Sequence, residues 1–298
     1  MKYRILGASG LRVSEIGFGC MSLNQDEDYN SRLLQQAVDK GINLFDTSDL
    51  YGKGANEMTV GKALKQKRRE IILCTKVGNQ WRPDGSGWDW NPRKAYIFSA
   101  IEQSLRRLQT DYIDLYQLHG GTIEDPIDET IDAFEMLKQQ GKIRFYGISS
   151  IRPNVIREYI QRAGIVSVMM QYSLLDRRPE ETCFPLLQGN GVSVLARGSL
   201  AQGLLTGKPA ARYLEYDVAE VEKAARAVQR LSTKSRTTGQ TAIRFVLKEP
   251  VVALAVVGIR TFPQLEEAVG AIDSPALNEQ EIQQLQQALP VNCYRQHR

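Results

Sequence analysis

Short apolar runs recur along the chain, and most are followed by a stretch in which hydrophobic positions have helical spacing. Runs such as VSVLA and ALAVVG are continuously apolar, which is typical of parallel strands covered on both faces. The pattern predicts seven strands, at Ile42 to Thr47, Ile71 to Val77, Tyr112 to His119, Ile143 to Ser149, Ser167 to Tyr172, Val192 to Ala196 and Ala253 to Gly258. An eighth strand is predicted before them, near Val13 to Gly17.

Amphipathic helices are predicted between these strands. Arg93 to Leu108 and Asp128 to Gln140 each place apolar side chains on one face, and Gly141 is suited to end the second helix. Pro153 is suited to the first turn of another helix. Eight alternating strands and helices in 298 residues predict an α/β fold, a (β/α)8 barrel that forms one domain over residues 1–298.

Two segments fall outside the repeat. The opening residues YRILGASGLRVS predict a short β-hairpin that plugs the bottom of the barrel, and residues 203–238 predict an insertion. The competing doubly wound fold lacks its fingerprints, because the run GFGCMS from Gly17 ends in Ser where the dinucleotide motif needs Gly. The run GLLTGK from Gly203 is one residue short of a phosphate-binding loop.

Composition narrows the class of protein. The 38 Lys and Arg against 34 Asp and Glu are spread along the chain, which disfavours a nucleic-acid binder. No apolar run approaches the ~18 residues of a membrane helix, and no secretory signal is present, so we expect no membrane partner and a cytoplasmic location. Four separated cysteines predict free thiols, and only two histidines, His119 and the penultimate His297, predict no metal site.

Polar side chains end three neighbouring strands of the predicted barrel. Asp46 ends the second strand, Lys76 the third and His119 the fourth, while Tyr51 lies in the loop after the second. Strand ends of this kind meet at one mouth of a barrel, where its active sites lie. The ammonium of Lys76 would favour ionisation of Tyr51, and Asp46 would hold that ammonium in place. With His119 bonded to a substrate oxygen, the set predicts protonation of a carbonyl oxygen.

These residues lie in ordered motifs that resemble the aldo-keto reductase family over essentially the whole chain. The motifs are GINLFDTSDLYG (41–52), CTKVG (74–78), DYIDLYQLH (111–119), GISS (147–150), QYSLLD (171–176), LAQGLLTGK (200–208) and VGIRTFPQLEE (257–267). The resemblance, to the short-loop bacterial type, implies a barrel with a hairpin plug and an extra C-terminal helix. It implies NADPH-dependent reduction of an aldehyde or ketone, with Tyr51 as general acid, Lys76 and Asp46 tuning it, and His119 orienting the carbonyl.

The resemblance also implies where NADP(H) binds. Ser149 and Gln171 match the residues that hold the nicotinamide carboxamide. The predicted pyrophosphate contacts are Ser199, Leu200, Gln202, Gly203, Leu204 and Lys208, the adenosine contacts are Gly258, Arg260, Thr261, Gln264 and Glu267, and the remaining cofactor contacts are Met21, Asp46 and Arg197. Arg260, at a predicted helix start, is suited to a 2′-phosphate, which favours NADPH over NADH.

Three positions depart from the family pattern. Arg197 stands where the family usually has an aromatic side chain that stacks on nicotinamide, and a guanidinium can stack there but adds positive charge. Ser150 replaces a frequent Asn, and Ala268 stands where an Asn often contacts adenine. From the charge of Arg197 we expect weaker retention of NADP+ or an altered reduction potential.

Other functions remain compatible with the same residues. A regulatory module, like the channel-associated subunits of this fold, would bind NADPH with little turnover, and Lys76 would also suit a Schiff-base enzyme. Trp81, Trp88 and Trp90 fall in one predicted irregular loop, which would either select apolar or aromatic carbonyl substrates or only pack the loop onto the barrel. Cys20, Met21 and the tail from Val291 to Arg298 are expected to border the pocket.

Overall fold

The computed structural model describes residues 1–298, whose centre is a closed barrel of eight parallel strands. The twelve strands are β1 (Tyr3–Ile5), β2 (Arg12–Ser14), β3 (Ile16–Gly19), β4 (Leu44–Asp46), β5 (Ile72–Val77), β6 (Asn79–Trp81), β7 (Trp88–Trp90), β8 (Ile113–Leu118), β9 (Ile143–Ser149), β10 (Ser167–Gln171), β11 (Ser193–Arg197) and β12 (Val252–Gly258). The barrel order is β3, β4, β5, β8, β9, β10, β11, β12, and β12 pairs with β3 to close it. The predicted (β/α)8 barrel is confirmed.

Ten helices accompany the strands. They are α1 (Glu27–Asp39), α2 (Ala55–Leu64), α3 (Lys94–Leu108), α4 (Ile127–Gln139), α5 (Pro153–Arg162), α6 (Cys183–Gly189), α7 (Val218–Leu231), α8 (Thr238–Leu247), α9 (Phe262–Asp273) and α10 (Glu279–Gln287). The extra C-terminal helix is α10, and α7 lies in the predicted insertion. The bounds of α3 and α4 agree with the prediction to within one residue. None of the ten has an apolar stretch long enough to traverse a lipid bilayer.

Apolar side chains fill both sides of the barrel wall. Between the strands and the helices lies a cluster of 68 buried residues, and a second cluster of 12 fills the barrel interior. Leu6 and Val13, from the β1–β2 hairpin, belong to the interior cluster, so the hairpin covers the barrel floor as predicted. With its floor closed, the barrel is accessible to ligands at the opposite mouth, where the carboxyl ends of the strands meet.

Arg4 fastens the hairpin to the barrel. Its guanidinium donates hydrogen bonds to Glu15 Oε1 at 2.7 Å and to the carbonyl oxygens of Leu247 and Val252 at 2.8 and 2.6 Å. Glu15 is buried, and it would otherwise leave a carboxylate without a positive partner. The hairpin is therefore held by a charged contact as well as by apolar packing.

Two local predictions were wrong. The first barrel strand is Ile16–Gly19 and does not begin at Val13, because Val13 pairs with Arg4 in the hairpin. The tryptophan segment is not irregular, since β6 and β7 form an antiparallel hairpin in which Trp81 pairs with Trp88. The chain reverses in a turn that includes Gly85, whose φ is 73°, and the reversal lets β6 pair with β7. The Gly, Pro and Asp content of the segment had favoured an irregular loop. That the chain is one domain stays a prediction.

Replacing Arg4 by Ala is expected to lower the free energy of unfolding by about 2 kcal/mol, because Glu15 and two carbonyl oxygens lose their donor. The matched control is Arg12→Ala, since Arg12 is exposed and its guanidinium lies over the ring of Tyr3. We expect the control to change stability by less than about 0.5 kcal/mol. Equilibrium urea unfolding measures both variants, and equal losses would contradict the fastening role of Arg4.

Candidate active site

The carboxyl ends of the barrel strands surround a cleft of about 1130 Å³. Every barrel strand supplies a lining residue at or next to its end, and these residues are Gly19, Asp46, Lys76, His119, Ser149, Gln171, Arg197 and Gly258. Seven of the eight were predicted from the sequence, with Gly19 the exception. The parallel register of the strands thus brings residues from distant parts of the chain to one mouth.

Lys76 and Asp46 form a buried ion pair at the base of this cleft. Lys76 Nζ lies 2.7 Å from Asp46 Oδ1 and 2.8 Å from Oδ2, and it also donates to the carbonyl oxygen of Thr47 at 2.7 Å. Burial is the largest influence and would lower the pKa of Lys76, but the negative charge of Asp46, its hydrogen bond to Lys76 and the nearby Tyr51 and Cys74 together outweigh it, and the pKa is raised. The lysine is therefore an ammonium at neutral pH.

Tyr51 lies above this ion pair, in the turn that follows β4. Its hydroxyl is 3.4 Å from Lys76 Nζ, and the ammonium lies 5.1 Å from the centre of its ring. Burial raises the pKa of Tyr51, and the charge of Lys76 lowers it only in part. The ammonium acts in the predicted direction, but the net shift is upward, so the phenol keeps its proton at neutral pH.

His119 completes the group directly after β8. Its ring lies edge-on to that of Tyr51, with centroids 6.0 Å apart, and its Nδ1 is 3.2 Å from Ser48 Oγ. Burial, followed by the charges of Lys76 and Arg197, lowers the pKa of His119 to about 3. The imidazole is therefore neutral, with one nitrogen protonated and the other a hydrogen-bond acceptor.

One end of the cleft carries positive charge without neutralising carboxylates. Lys208 and Arg260 line it and form no ion pair, and Arg260 directly precedes Thr261, which caps the N-terminus of α9. Buried hydroxyls of Ser22 and Ser199, which have no hydrogen-bond partner, belong to residues of the same cleft. Free cations, a helix start and unpaired hydroxyls together suit a ligand that carries phosphate groups.

Most of the predicted cofactor residues line the cleft, but three do not. Leu204 is buried. Thr261 is the N-cap of α9, and its hydroxyl accepts a hydrogen bond from the backbone N–H of Gln264 at 3.3 Å. Glu267 accepts a hydrogen bond from Thr237 on α8's N-terminal side. The residues that line it as predicted are Met21, Asp46, Ser149, Gln171, Arg197, Ser199, Leu200, Gln202, Gly203, Lys208, Gly258, Arg260 and Gln264.

Arg197 ends β11 beside Gln171 and belongs to the cleft wall. Its guanidinium donates to Gln171 Oε1 at 3.0 Å, while Gln171 Nε2 donates to Asp176 at 2.9 Å and to the hydroxyl of Tyr213 at 3.0 Å. Arg197 has no carboxylate partner, so its charge remains available to a ligand. Ser150, the second departure from the family pattern, also lines the cleft, whereas the third, Ala268, is buried in α9.

The three tryptophans have different surroundings. Trp88 is exposed and lines the cleft, and Trp90 lines it while donating through Nε1 to Asp125 at 3.0 Å. Trp90 lies so close to Gly78 that a Cβ there would be 2.5 Å from its ring. Trp81 does not line the cleft, and its Nε1 donates to the carbonyl of Leu50 at 3.3 Å. Two of the three rings therefore face the space available to a ligand.

Several lining residues were not predicted from the sequence. Most lie outside the regular strands and α-helices, where the path of the chain depends on tertiary packing, and they include Ser22, Asn79 at the start of β6, Thr122, Arg152, Thr206 and Tyr213. Tyr213 comes from the insertion, where no strand period indicates direction. Two expected border elements are absent from the lining, since Cys20 is buried, and in the tail Asn292 and Tyr294 are buried while Arg298 bonds to Glu181.

Comparison with known proteins relates the chain to one family. The sequence model of the aldo/keto reductase family matches residues 15–290. The chain is 48% identical to a Bacillus subtilis (strain 168) protein named uncharacterized oxidoreductase YqkF, over 100% of both chains. It is 31% identical to the Schizosaccharomyces pombe (strain 972 / ATCC 24843) aldo-keto reductase yakc, whose name includes NADP(+), over 87% of this chain and 84% of the relative.

A solved structure agrees closely with this fold. The holo form of aldo-keto reductase AKR11C1 from Bacillus halodurans is 51% identical and superimposes with a TM-score of 0.93, over 100% of this chain and 99% of that one. The apo form of the same protein gives a TM-score of 0.85 at equal coverage. The backbone described above is thus closer to the holo form.

Proposed function

The chain belongs to the aldo/keto reductase family, and from that premise we propose that it reduces an aldehyde or ketone to the alcohol with NADPH. The observation that carries the proposal is the position of the Tyr51 hydroxyl, 3.4 Å from Lys76 Nζ in the buried ion pair of Lys76 and Asp46. A proton donor, a charge that stabilises its conjugate base and a neutral imidazole then lie in one cleft.

Tyr51 is the general acid of the proposed reaction. Its phenol donates a proton to the carbonyl oxygen as negative charge develops there, and the ammonium of Lys76, 3.4 Å away, stabilises the phenolate that remains. Asp46 keeps Lys76 charged and in place. The same ion pair opposes a Schiff-base role, because an amine acts as a nucleophile only when its pKa is lowered, and that of Lys76 is raised.

His119 orients the substrate in this proposal. With Nδ1 turned to Ser48, the Nε2 edge of the ring is left for a ligand in the cleft, where an N–H would donate to the carbonyl oxygen. A neutral imidazole suits this role because it adds a directional hydrogen bond without a second full charge beside Lys76.

The cleft fits NADP(H), which when bound supplies the hydride for the carbonyl carbon. Arg260 and Lys208 are the cations that would hold phosphate groups, with Arg260 assigned to the 2′-phosphate. Ser149 and Gln171 would hold the nicotinamide carboxamide, and the unpaired hydroxyl of Ser199 would bond to the pyrophosphate. The NADP(+) in the name of the S. pombe relative supports the same choice.

Replacing Tyr51 by Phe is expected to lower kcat by about 10²- to 10⁴-fold, because the proton donor is lost. The assay follows loss of NADPH absorbance with a panel of aldehydes and ketones, and NADPH binding is measured by calorimetry. Tyr213→Phe is the matched control, since Tyr213 lines the cleft but contacts Gln171 in place of Lys76. Full activity of Tyr51→Phe would refute the proton-donor role, and NADPH binding without turnover by the unaltered protein would favour a regulatory module.

Replacing Arg197 by Trp is expected to tighten binding of NADP+ relative to NADPH by about threefold to tenfold, since it removes a positive charge beside a ring that is cationic when oxidised. Arg197→Gln separates loss of charge from gain of stacking, and we expect the same change in the ratio. Calorimetric Kd values for both forms of the cofactor test this. An unchanged ratio in both variants would show that Arg197 does not act through its charge.

Replacing Trp88 by Ala is expected to lower kcat/KM for benzaldehyde-like substrates about tenfold more than for short aliphatic aldehydes, because an exposed ring on the cleft wall is lost. Trp81→Ala is the control, since Trp81 packs in the same hairpin outside the cleft. A selective role is rejected by equal losses on the two substrate classes.

A further inference from the structure

Ser48 and Asp49 lie directly behind His119, and the proposed reaction does not use them. They follow β4 in the segment that leads to Tyr51, and both are buried. A buried carboxyl group and a buried hydroxyl next to a site histidine control which hydrogen bonds that histidine can make. The arrangement of these three side chains therefore bears on the protonation pattern of the imidazole.

One hydroxyl connects the carboxyl group to the imidazole. Ser48 Oγ lies 3.1 Å from Asp49 Oδ1 and 3.2 Å from His119 Nδ1, and it accepts a hydrogen bond from the backbone N–H of Leu50 at 3.1 Å. A serine hydroxyl has one proton to donate and two lone pairs to accept with. Because Leu50 occupies one lone pair, one donor and one acceptor position are left to be shared between Asp49 and His119.

This count links the charge of Asp49 to the tautomer of His119. An ionised Asp49 can only accept, so it takes the Ser48 proton, and Ser48 must then accept from a protonated Nδ1. Nε2 is left bare in that case, and a bare nitrogen cannot donate to a carbonyl oxygen. A protonated Asp49 instead donates to Ser48, Ser48 donates to a bare Nδ1, and the proton of the neutral ring is on Nε2.

We propose that protonated Asp49 is a positioning residue that sets the Nε2–H tautomer of His119 through Ser48. The hydrogen-bond geometry links the tautomer of His119 to the protonation state of Asp49, and the buried surroundings of Asp49 favour the protonated acid. Its consequence for catalysis, that the imidazole can donate to the substrate carbonyl, rests on the function proposed above. Asp49 does not touch the cleft, and it acts only through the two side chains in front of it.

The surroundings of Asp49 favour its protonated form. Arg107, the cation whose charge acts on Asp49, is already paired with Glu57 at 2.7 Å, and Glu57 also accepts from Thr75 at 2.6 Å. Asp49 has no ion-pair partner of its own, and Tyr96 donates to its Oδ2 at 3.4 Å. The titratable groups that face Asp49 are Glu57 on α2, Tyr96 and Arg107 on α3, Tyr116 on β8 and, through Ser48, His119.

Burial, followed by the negative charge of Glu57, raises the pKa of Asp49 to about 7. A raised pKa in an acid means that the protonated form persists up to that pH and is lost as the pH rises through it. The other groups of the site do not titrate near neutrality, because the pKa of His119 is lowered to about 3 and those of Tyr51 and Lys76 are raised. Asp49 is therefore the group of this cluster whose charge changes near pH 7.

Nitrogen NMR tests the tautomer directly and needs no turnover. The chain has two histidines, so the His297→Gln variant has a single imidazole, that of His119. We expect the Nε2–H tautomer at about pH 6 and growth of the Nδ1–H tautomer towards about pH 8. In a His297→Gln, Asp49→Asn double variant the amide of Asn donates to Ser48 as the protonated acid does, and the Nε2–H tautomer should persist throughout.

Two results would overturn the assignment: an Nδ1–H tautomer at about pH 6, or the same pH dependence with and without Asp49→Asn. Because the spectra are recorded on the resting protein, they decide the proposal even if no carbonyl substrate is reduced. A protein with the expected tautomers but no turnover would contradict the proposed function and leave the role of Asp49 standing.

A second experiment compares the pH profiles of kcat/KM for carbonyl reduction in the unaltered protein and in two variants. In the unaltered protein we expect a basic limb that begins near the Asp49 pKa of about 7 and falls by up to about tenfold per pH unit. Asp49→Asn should remove this limb while retaining the activity seen at low pH, and Ser48→Ala should both lower activity and remove the limb. A basic limb that is unchanged in Asp49→Asn would contradict the positioning role, since a purely structural effect would not follow the charge.

Discussion

The buried contact between Lys76 and Asp46 is the interaction on which the rest of the site depends. Transfer of an ammonium out of water costs several kcal/mol, which hydrogen-bond and charged partners must offset. Lys76 Nζ has three partners for its three protons: Asp46, the Thr47 carbonyl and the Tyr51 hydroxyl. Those partners lie within six residues of one another at the end of β4. A single buried charge therefore fixes the end of one strand, the start of the next loop and the position of the phenol.

The barrel explains why this ion pair is near every other group of the site. Parallel strands leave their carboxyl ends on one rim, and the β1–β2 hairpin closes the other end, so polar strand ends and the ligand space coincide. The floor and the wall are apolar, whereas the rim carries unpaired cations and hydroxyls. Stability and chemistry are thus assigned to opposite ends of the same strands.

Because polar side chains are concentrated at the rim, the residues that could be predicted from the sequence are those at the strand ends. Asp46, Lys76 and His119 were identifiable because each lies at or next to the carboxyl end of a predicted strand, and a polar side chain there faces the ligand-binding mouth. The fold was identifiable from the spacing of those runs. Leu204, Thr261 and Glu267 matched a motif but do not line the cleft, since Leu204 is buried, Thr261 caps α9 and Glu267, within α9, accepts a hydrogen bond from Thr237.

Other features depend on burial and on packing between distant segments, which no local pattern contains. The net rise in the pKa of Tyr51 comes from loss of solvent, and the cleft contact of Tyr213 comes from the path of the insertion. Val13 is apolar and was predicted to begin a barrel strand, yet it belongs to the β1–β2 hairpin that forms the barrel floor. Asp49 gave no indication of its role, because that role depends on Arg107 being paired with Glu57.

The hairpin floor also constrains the order in which the chain acquires its structure. Arg4 bonds to the carbonyl of Val252, 248 positions later, and β3 closes the barrel only by pairing with β12. The hairpin and β3 must therefore wait for β12 before their edges and apolar faces are covered. Contacts so distant in sequence make folding slow, and they leave the N-terminal strand exposed to misassociation throughout synthesis.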